Sequence, residues 1–310
     1  MSLPPDTIPI QAAPTGLIRV KMIAPWCSDS QIYSEWLRYA RAGGRWNHLQ
    51  LVNDEPYDVL VVHNYPDRPY DPQRTLIYQH EPRAFREHWP VPWGNPPENA
   101  AALVFTIDRH HMPICWYSGY ERDWEFLNRD RPEKTRIISA VISGKDHLKG
   151  GWHRARFVRD HLHNIDPEVD LFGRWSVPPS SCYRGVVRDK SDALRPYRYT
   201  IACENCYESN YFTEKITDAI VSETLAFYSG CPNLESFIDP ACFVRIDLSK
   251  PKDAVKVINE SIARGLYEER IDAVRRQKRA ILDQLSFFPM LEQQLSSLGM
   301  PRPCDANGWG

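Results

Sequence analysis

The run Tyr57–Val62, YDVLVV, constrains the fold more than any other stretch of the chain. It is too short for a helix and its apolar residues do not alternate with polar ones, so it reads as a strand buried on both faces. Strands of that kind belong to parallel sheets covered by helices on both sides, which makes an α/β protein the expectation. The flanking segments agree. Leu17–Ile23 (LIRVKMI) reads as a strand, and Asp29–Ala42 as a helix carrying Ile32, Trp36, Leu37 and Ala40 on one side and stopping at Gly43-Gly44. Together they form a βαβ unit, which the short runs Thr75–Tyr78 and Ala102–Ile107 extend.

A chain of 310 residues suits two such layers. The charged, aperiodic stretch Asn128–Lys134 (NRDRPEK) is the candidate linker, and the alternation restarts after it. Arg136–Ile142 and Val169–Phe172 read as strands around a helix over His153–Ile165. Tyr197–Ala202, a helix from Thr213 to Glu223, the strand Leu225–Tyr228 and a helix from about Pro251 to Arg264 follow. Ser249 is the expected N-cap of that last helix and Gly265 its stop. Glu268–Leu298 repeats Ile271, Val274, Ile281, Leu285 and Phe288 at helical spacing, with a kink expected at Pro289. The predicted division is therefore 1–130, 131–275 and a terminal helical segment 276–310.

Composition removes several classes of function. With 38 basic against 40 acidic residues the net charge is -2, so no field suited to a nucleic-acid backbone is present. No window is apolar enough for a signal peptide or a membrane span, which predicts a cytoplasmic protein whose eight cysteines are free thiols. There is no GxxxxGK[ST], no GxGxxG after a strand and no Asp-x-Asp, so P-loop, dinucleotide and metal-clamped sugar-nucleotide sites lose their main support. Cys203 and Cys206 form a C-x-x-C without a second pair, and Asp108-Arg109-His110-His111 reads as a surface turn. No metal is expected.

The stretch Tyr197–Val244 carries the chemistry. A strand ends at Ala202, a polar loop follows, and a helix opens at Thr213-Glu214-Lys215 with its free N–H groups aimed into the loop. Such an opening suits a phosphate, and Lys215 adds a cation where the helix dipole alone favours an anion. A solvated lysine beside an ordinary threonine cap fits the same fragment.

The order of residues here resembles the signature of the α-1,3/1,4-fucosyltransferase family: Glu204-Asn205, five residues, then Tyr211-Phe212-Thr213-Glu214-Lys215. Cys203 and Phe212 depart from the family's phenylalanine and aliphatic residue. Val169–Arg174 (VDLFGR), Arg154 followed by Phe157, His80-Glu81-Pro82 and Ser236–Pro240 are similar to further family segments. The resemblance runs from about Leu76 to about Asp247. It implies a GT-B fold, two Rossmann-like α/β domains facing a cleft, with an acceptor-side N-terminal domain, a donor domain and a C-terminal helix packing back across the cleft. It implies an inverting glycosyltransferase that moves L-fucose from GDP-fucose to a glycan hydroxyl without a metal or other cofactor. By the same resemblance Glu81 is the general base, with Glu87 and Asp108 as alternatives. Arg154 and Lys215 hold the diphosphate, Asn205, Tyr211 and Glu214 position ribose and sugar, and Glu204 and Thr213 complete the donor set. A xylosyl donor on the same fold and a non-catalytic carbohydrate-binding relative are the rival readings.

Overall fold

The computed structural model describes residues 16–83, 86, 103–106, 112–116, 119–145, 148–177, 179 and 181–297. It divides into two compact units, one comprising Met1–Pro113, Asp123–Glu125 and Gln284–Gly310, the other Ile114–Arg122 and Phe126–Asp283.

The first unit is built on the strands β1 (Ile18–Ile23), β2 (Arg45–Trp46), β3 (Leu49–Val52), β4 (Val59–His63), β5 (Thr75–Gln79) and β6 (Leu103–Thr106), in the order β2-β3-β1-β4-β5-β6. Only the β2–β3 hairpin is antiparallel, and Val20 pairs with Leu51 on one side and Val59 on the other. Every residue of β4 and β5 is buried, as the apolar run requires. Because β1 has β3 on one flank and β4 on the other, the winding reverses between β1 and β4. In open α/β sheets such a switch point leaves a crevice beyond the carboxyl ends of the strands.

Helix α1 (Asp29–Trp36) starts in a capping box between Ser28 and Gln31 and tightens into a 3-10 turn at Leu37–Tyr39, short of the expected Ala42. The helix therefore stops at Ala40, where the backbone is already extended, and Gly43 and Gly44, at φ +73° and +75°, belong to a separate turn, Ala42–Gly44, rather than to the helix stop expected of them. The last helix, α7 (Phe287–Ser297), packs on this unit: Phe287 lies 5.3 Å from Tyr78 and 4.4 Å from Trp36, and Glu292 meets His48 at 3.0 Å.

The second unit carries an all-parallel sheet of β7 (Arg136–Val141), β8 (Asp170–Phe172), β9 (Tyr183–Gly185), β10 (Tyr197–Cys203), β11 (Leu225–Ser229) and β12 (Phe243–Arg245). Its order, β12-β11-β10-β7-β8-β9, is the doubly wound arrangement with the switch point between β7 and β10. Helix α2 (Trp124–Arg129), whose first two residues belong to the first unit, precedes β7, and helices α3 (Lys149–Asp160), α4 (Glu214–Val221), α5 (Pro251–Ala263) and α6 (Leu266–Ala280) complete the set.

Several local expectations shift. Lys250, not Ser249, is the N-cap of α5, because the Ser249 hydroxyl is taken by Asp247 at 2.6 Å. Gly265, at φ +69°, does end that helix. The break in the C-terminal segment is a π-helical stretch at Ile281–Leu285, and Pro289 sits in the first turn of α7, where its missing N–H costs nothing. The charged segment Asn128–Lys134 lies in the second unit, with Arg131 on buried Glu223 at 3.1 Å and the Lys134 ammonium on Ser222 O at 2.7 Å.

Candidate functional site

Two strand ends meet at the switch point of the second unit. β7 runs out into Ile142–Lys145 and β10 into Glu204–Asn205. Helix α3 opens above them with Lys149-Gly150-Gly151, four residues before the helix expected from the apolar pattern, since glycines carry no period. The Gly150 N–H donates to Asn205 O at 3.1 Å. A Cβ on Gly150 would fall 2.6 Å from Glu204 O and 2.7 Å from the carbonyl carbon of Asn205, so only glycine lets the helix approach the strand end this closely.

Arg154, one turn further along α3, is 7% exposed. Its guanidinium spans the switch point, donating to Cys203 O at the end of β10 and to Lys145 O after β7, both at 3.4 Å. Its Nε has no hydrogen-bond partner, and no carboxylate among the described residues forms an ion pair with it. Buried charges are ordinarily paired, whereas among the described residues this one rests on two long bonds to carbonyls.

Lys215 approaches the same strand end. Its ammonium donates to Thr213 Oγ1 at 2.7 Å and lies 3.2 Å from Glu204 and 3.3 Å from Glu214. All three of its donors are thus engaged. Burial alone would lower its pKa, but the Glu204 and Glu214 carboxylates outweigh that and raise it, with the Arg154 charge opposing them. For Glu214 burial pushes upward, while Lys215 and Lys190 prevail and hold the carboxyl well below its usual range. Both side chains are therefore charged at neutral pH.

Glu204 is fully buried. One oxygen accepts from the Thr213 N–H at 2.9 Å and the other from the Thr213 hydroxyl at 2.8 Å. It therefore ties the mouth of α4 to the end of β10 and holds Lys215, a positioning task. Thr213 occupies the N-cap of α4, but its hydroxyl points to Glu204 and Lys215 rather than back to the helix. Asn205 accepts from the Tyr211 hydroxyl at 3.0 Å, which closes the loop between them. Burial raises the Cys203 and Cys206 thiols to about 12. No group of three or more metal-ligating side chains occurs among the described residues.

In the first unit Glu81 follows β5 by two residues and is half-buried. Arg86 fastens its turn, donating to Glu81 O at 3.2 Å and to Gln79 Oε1 at 2.9 Å. Just before it, His80 and His63 share a hydrogen bond of 3.0 Å beneath Trp36, whose ring stacks on His63 at 4.4 Å. Asn64, at φ +66°, accepts the His80 N–H at 2.9 Å. Glu87 and the Asp108–His111 cluster lie outside the described residues. The histidine pair and the Gly150-Gly151 helix start escaped sequence reasoning. Two glycines after a strand were the visible signal for the second, and nothing local announced the first.

No family model matches the chain. In sequence it is 33% identical over 174 residues to the α-(1,3)-fucosyltransferase FucT of Helicobacter pylori, covering 51% of this chain and 32% of that protein. It is 24% identical over 266 residues to the 3-galactosyl-N-acetylglucosaminide 4-α-L-fucosyltransferase FUT3 of Pan troglodytes, covering 80% and 63%. The chain thus spans less than two thirds of the length of either relative. In fold it is similar to WaaG, a glycosyltransferase involved in lipopolysaccharide biosynthesis, at a TM-score of 0.52 and 9% identity over 91% of this chain and 99% of that one. A TM-score of 0.50 at 10% identity, over 90% and 99%, relates it to T4 phage BGT. Two Rossmann-like sheets in one chain with these likenesses make the fold GT-B. In sequence the chain is thus similar to α-1,3-fucosyltransferases over part of their length.

Proposed function

We propose that the protein transfers L-fucose from GDP-fucose to a glycan hydroxyl with inversion at the anomeric carbon. The observation that carries this reading is Arg154, a buried cation spanning the switch point of the second unit beside Lys215, with a donor left over. A diphosphate supplies the charge and the acceptor oxygens that this arrangement lacks, and Rossmann-like sheets hold phosphates at that place. The second unit is then the donor unit. Asn205 and Tyr211 shape the loop against the nucleotide sugar, and Glu214 keeps Lys215 charged and oriented.

In the first unit Glu81 takes the proton of the acceptor hydroxyl. The acceptor oxygen bonds to the anomeric carbon as the bond from that carbon to the β-phosphate oxygen breaks, and the electron pair leaves with GDP. Arg154 and Lys215 stabilise the charge that grows on the diphosphate, fixed in place before the reaction begins. The step uses no metal. Seven free thiols among the described residues suit a reducing compartment, which favours the cytosol.

The test pairs titration of GDP and UDP into the protein with transfer from GDP-fucose. Tighter binding of UDP rejects the fucosyl donor. Glu81→Gln should keep GDP affinity within twofold and lower transfer by about 10²–10⁴. Transfer at the wild-type rate would remove Glu81 from the base role.

A further inference from the structure

Glu214 and Asp218 stand four residues apart on α4 and share one face of the helix, where two carboxylates repel each other. Asp218 is fully buried and Glu214 partly so. One ammonium answers both. Lys190, which comes from the separate turn Lys190–Ala193, lies 2.5 Å from Asp218 and 3.8 Å from Glu214. On its other side Glu214 meets Lys215 at 3.3 Å, and Lys215 meets Glu204 at 3.2 Å. Charges of alternating sign therefore run without a break from Asp218 through Lys190, Glu214 and Lys215 to Glu204 just after β10.

The turn that carries Lys190 is itself held in place. Asp189 accepts the Ser191 N–H at 2.8 Å and the Glu121 N–H at 3.1 Å, and it pairs with Arg122 at 3.0 Å. The Lys190 N–H donates to Gly119 O at 3.0 Å. All of these residues belong to the second unit, so the ammonium is brought to α4 on a braced backbone. At 3.8 Å it acts on Glu214 by charge rather than through a hydrogen bond. Against burial, which pushes it upward, Lys215 and then Lys190 hold the Glu214 carboxyl down to about 2. We propose that Lys190 is a positioning residue of the donor site: it fixes the Glu214 carboxylate between two ammoniums and thereby sets the direction in which Lys215 presents its charge to the diphosphate. The inference deepens the transferase reading above and rests on it.

Removing Lys190 alone would strand a buried carboxylate, which is strongly destabilising. The pair is therefore neutralised together, as Lys190→Gln with Asp218→Asn, which keeps two polar side chains of similar size and leaves no charge unpaired between them. A second variant, Lys190→Arg, keeps the cation. GDP is titrated calorimetrically into the wild type and both variants, each with and without Glu214→Gln. Neutralising the pair should weaken GDP binding about tenfold, and Lys190→Arg should recover most of it. On the Glu214→Gln background neutralisation should weaken binding no further, because Lys190 acts through that carboxylate. The proposal is overturned if the neutral pair binds GDP as the wild type does, or if its effect adds in full to that of Glu214→Gln, the mark of a general disturbance of the fold. Absence of GDP binding from the wild type fells the transferase reading and this inference with it, whereas wild-type binding that does not respond to Lys190 removes the inference alone.

Discussion

Replacing Arg154 by methionine should weaken donor binding without weakening the fold, a pairing that separates a binding residue from a structural one. The guanidinium is 7% exposed, makes two bonds of 3.4 Å and leaves Nε unpaired. Bonds of that length are near the limit of useful geometry, and one unsatisfied buried donor costs about 1–3 kcal/mol. Methionine removes the charge and the orphaned donor and keeps an unbranched apolar stem, so unfolding free energy should stay within about 1 kcal/mol of the wild type or rise. Breaking a buried ion pair would instead cost about 3–5 kcal/mol. Toward a diphosphate the sign is opposite. Each hydrogen bond to a charged partner contributes about 1.5–3 kcal/mol, so Arg154→Met should lower GDP affinity roughly ten- to a hundredfold per bond lost. Urea unfolding followed by circular dichroism reads the first quantity and calorimetric titration of GDP the second. A variant that loses about 3–5 kcal/mol of stability, the range of a broken buried pair, and still binds GDP like the wild type would show Arg154 to be structural.

Gly150→Ala places a methyl group 2.6 Å from Glu204 O, so α3 must retreat from the end of β10. GDP affinity should fall at least about tenfold, one decade per ~1.4 kcal/mol, and unchanged affinity would mean that the helix start plays no part in the site. A second expectation concerns pH. Burial, with His80 adding to it, holds His63 well below its ordinary value of 6.5, and burial takes His80 down to about 4. The unfolded chain therefore binds more protons than the folded one between pH 6.5 and about 4, and stability must fall as pH drops through that window. The slope is at most about 1.4 kcal/mol per pH unit for each histidine. Urea midpoints at pH 7, 6 and 5 check it, and a flat profile would show the pair to be open to water.

The layer class was legible because burial on two faces leaves its mark on adjacent residues. β4 and β5, five buried residues each, read directly as apolar runs. The short strands β2, β9 and β12, of two or three residues, were missed because so few positions hold no period. Arg154, Glu204 and Lys215 were singled out through family resemblance, but the contacts they make with one another's neighbours were not legible there. That the Glu204 carboxylate is spent on Thr213 and Lys215 depends on how β10 and α4 meet.

Taken alone, the sequence determined that the chain is α/β and roughly where most of its longer elements lie. These follow from side-chain periodicity and from residues close together along the chain. Strand order was decided only in three dimensions: the switch points between β7 and β10 and between β1 and β4, the return of α7 to the first unit, and the convergence of Arg154 and Lys215 on one strand end. Pairing between strands distant in sequence leaves no local pattern, because backbone hydrogen bonds are alike for every partner and the choice among partners is made by the packing of the whole sheet.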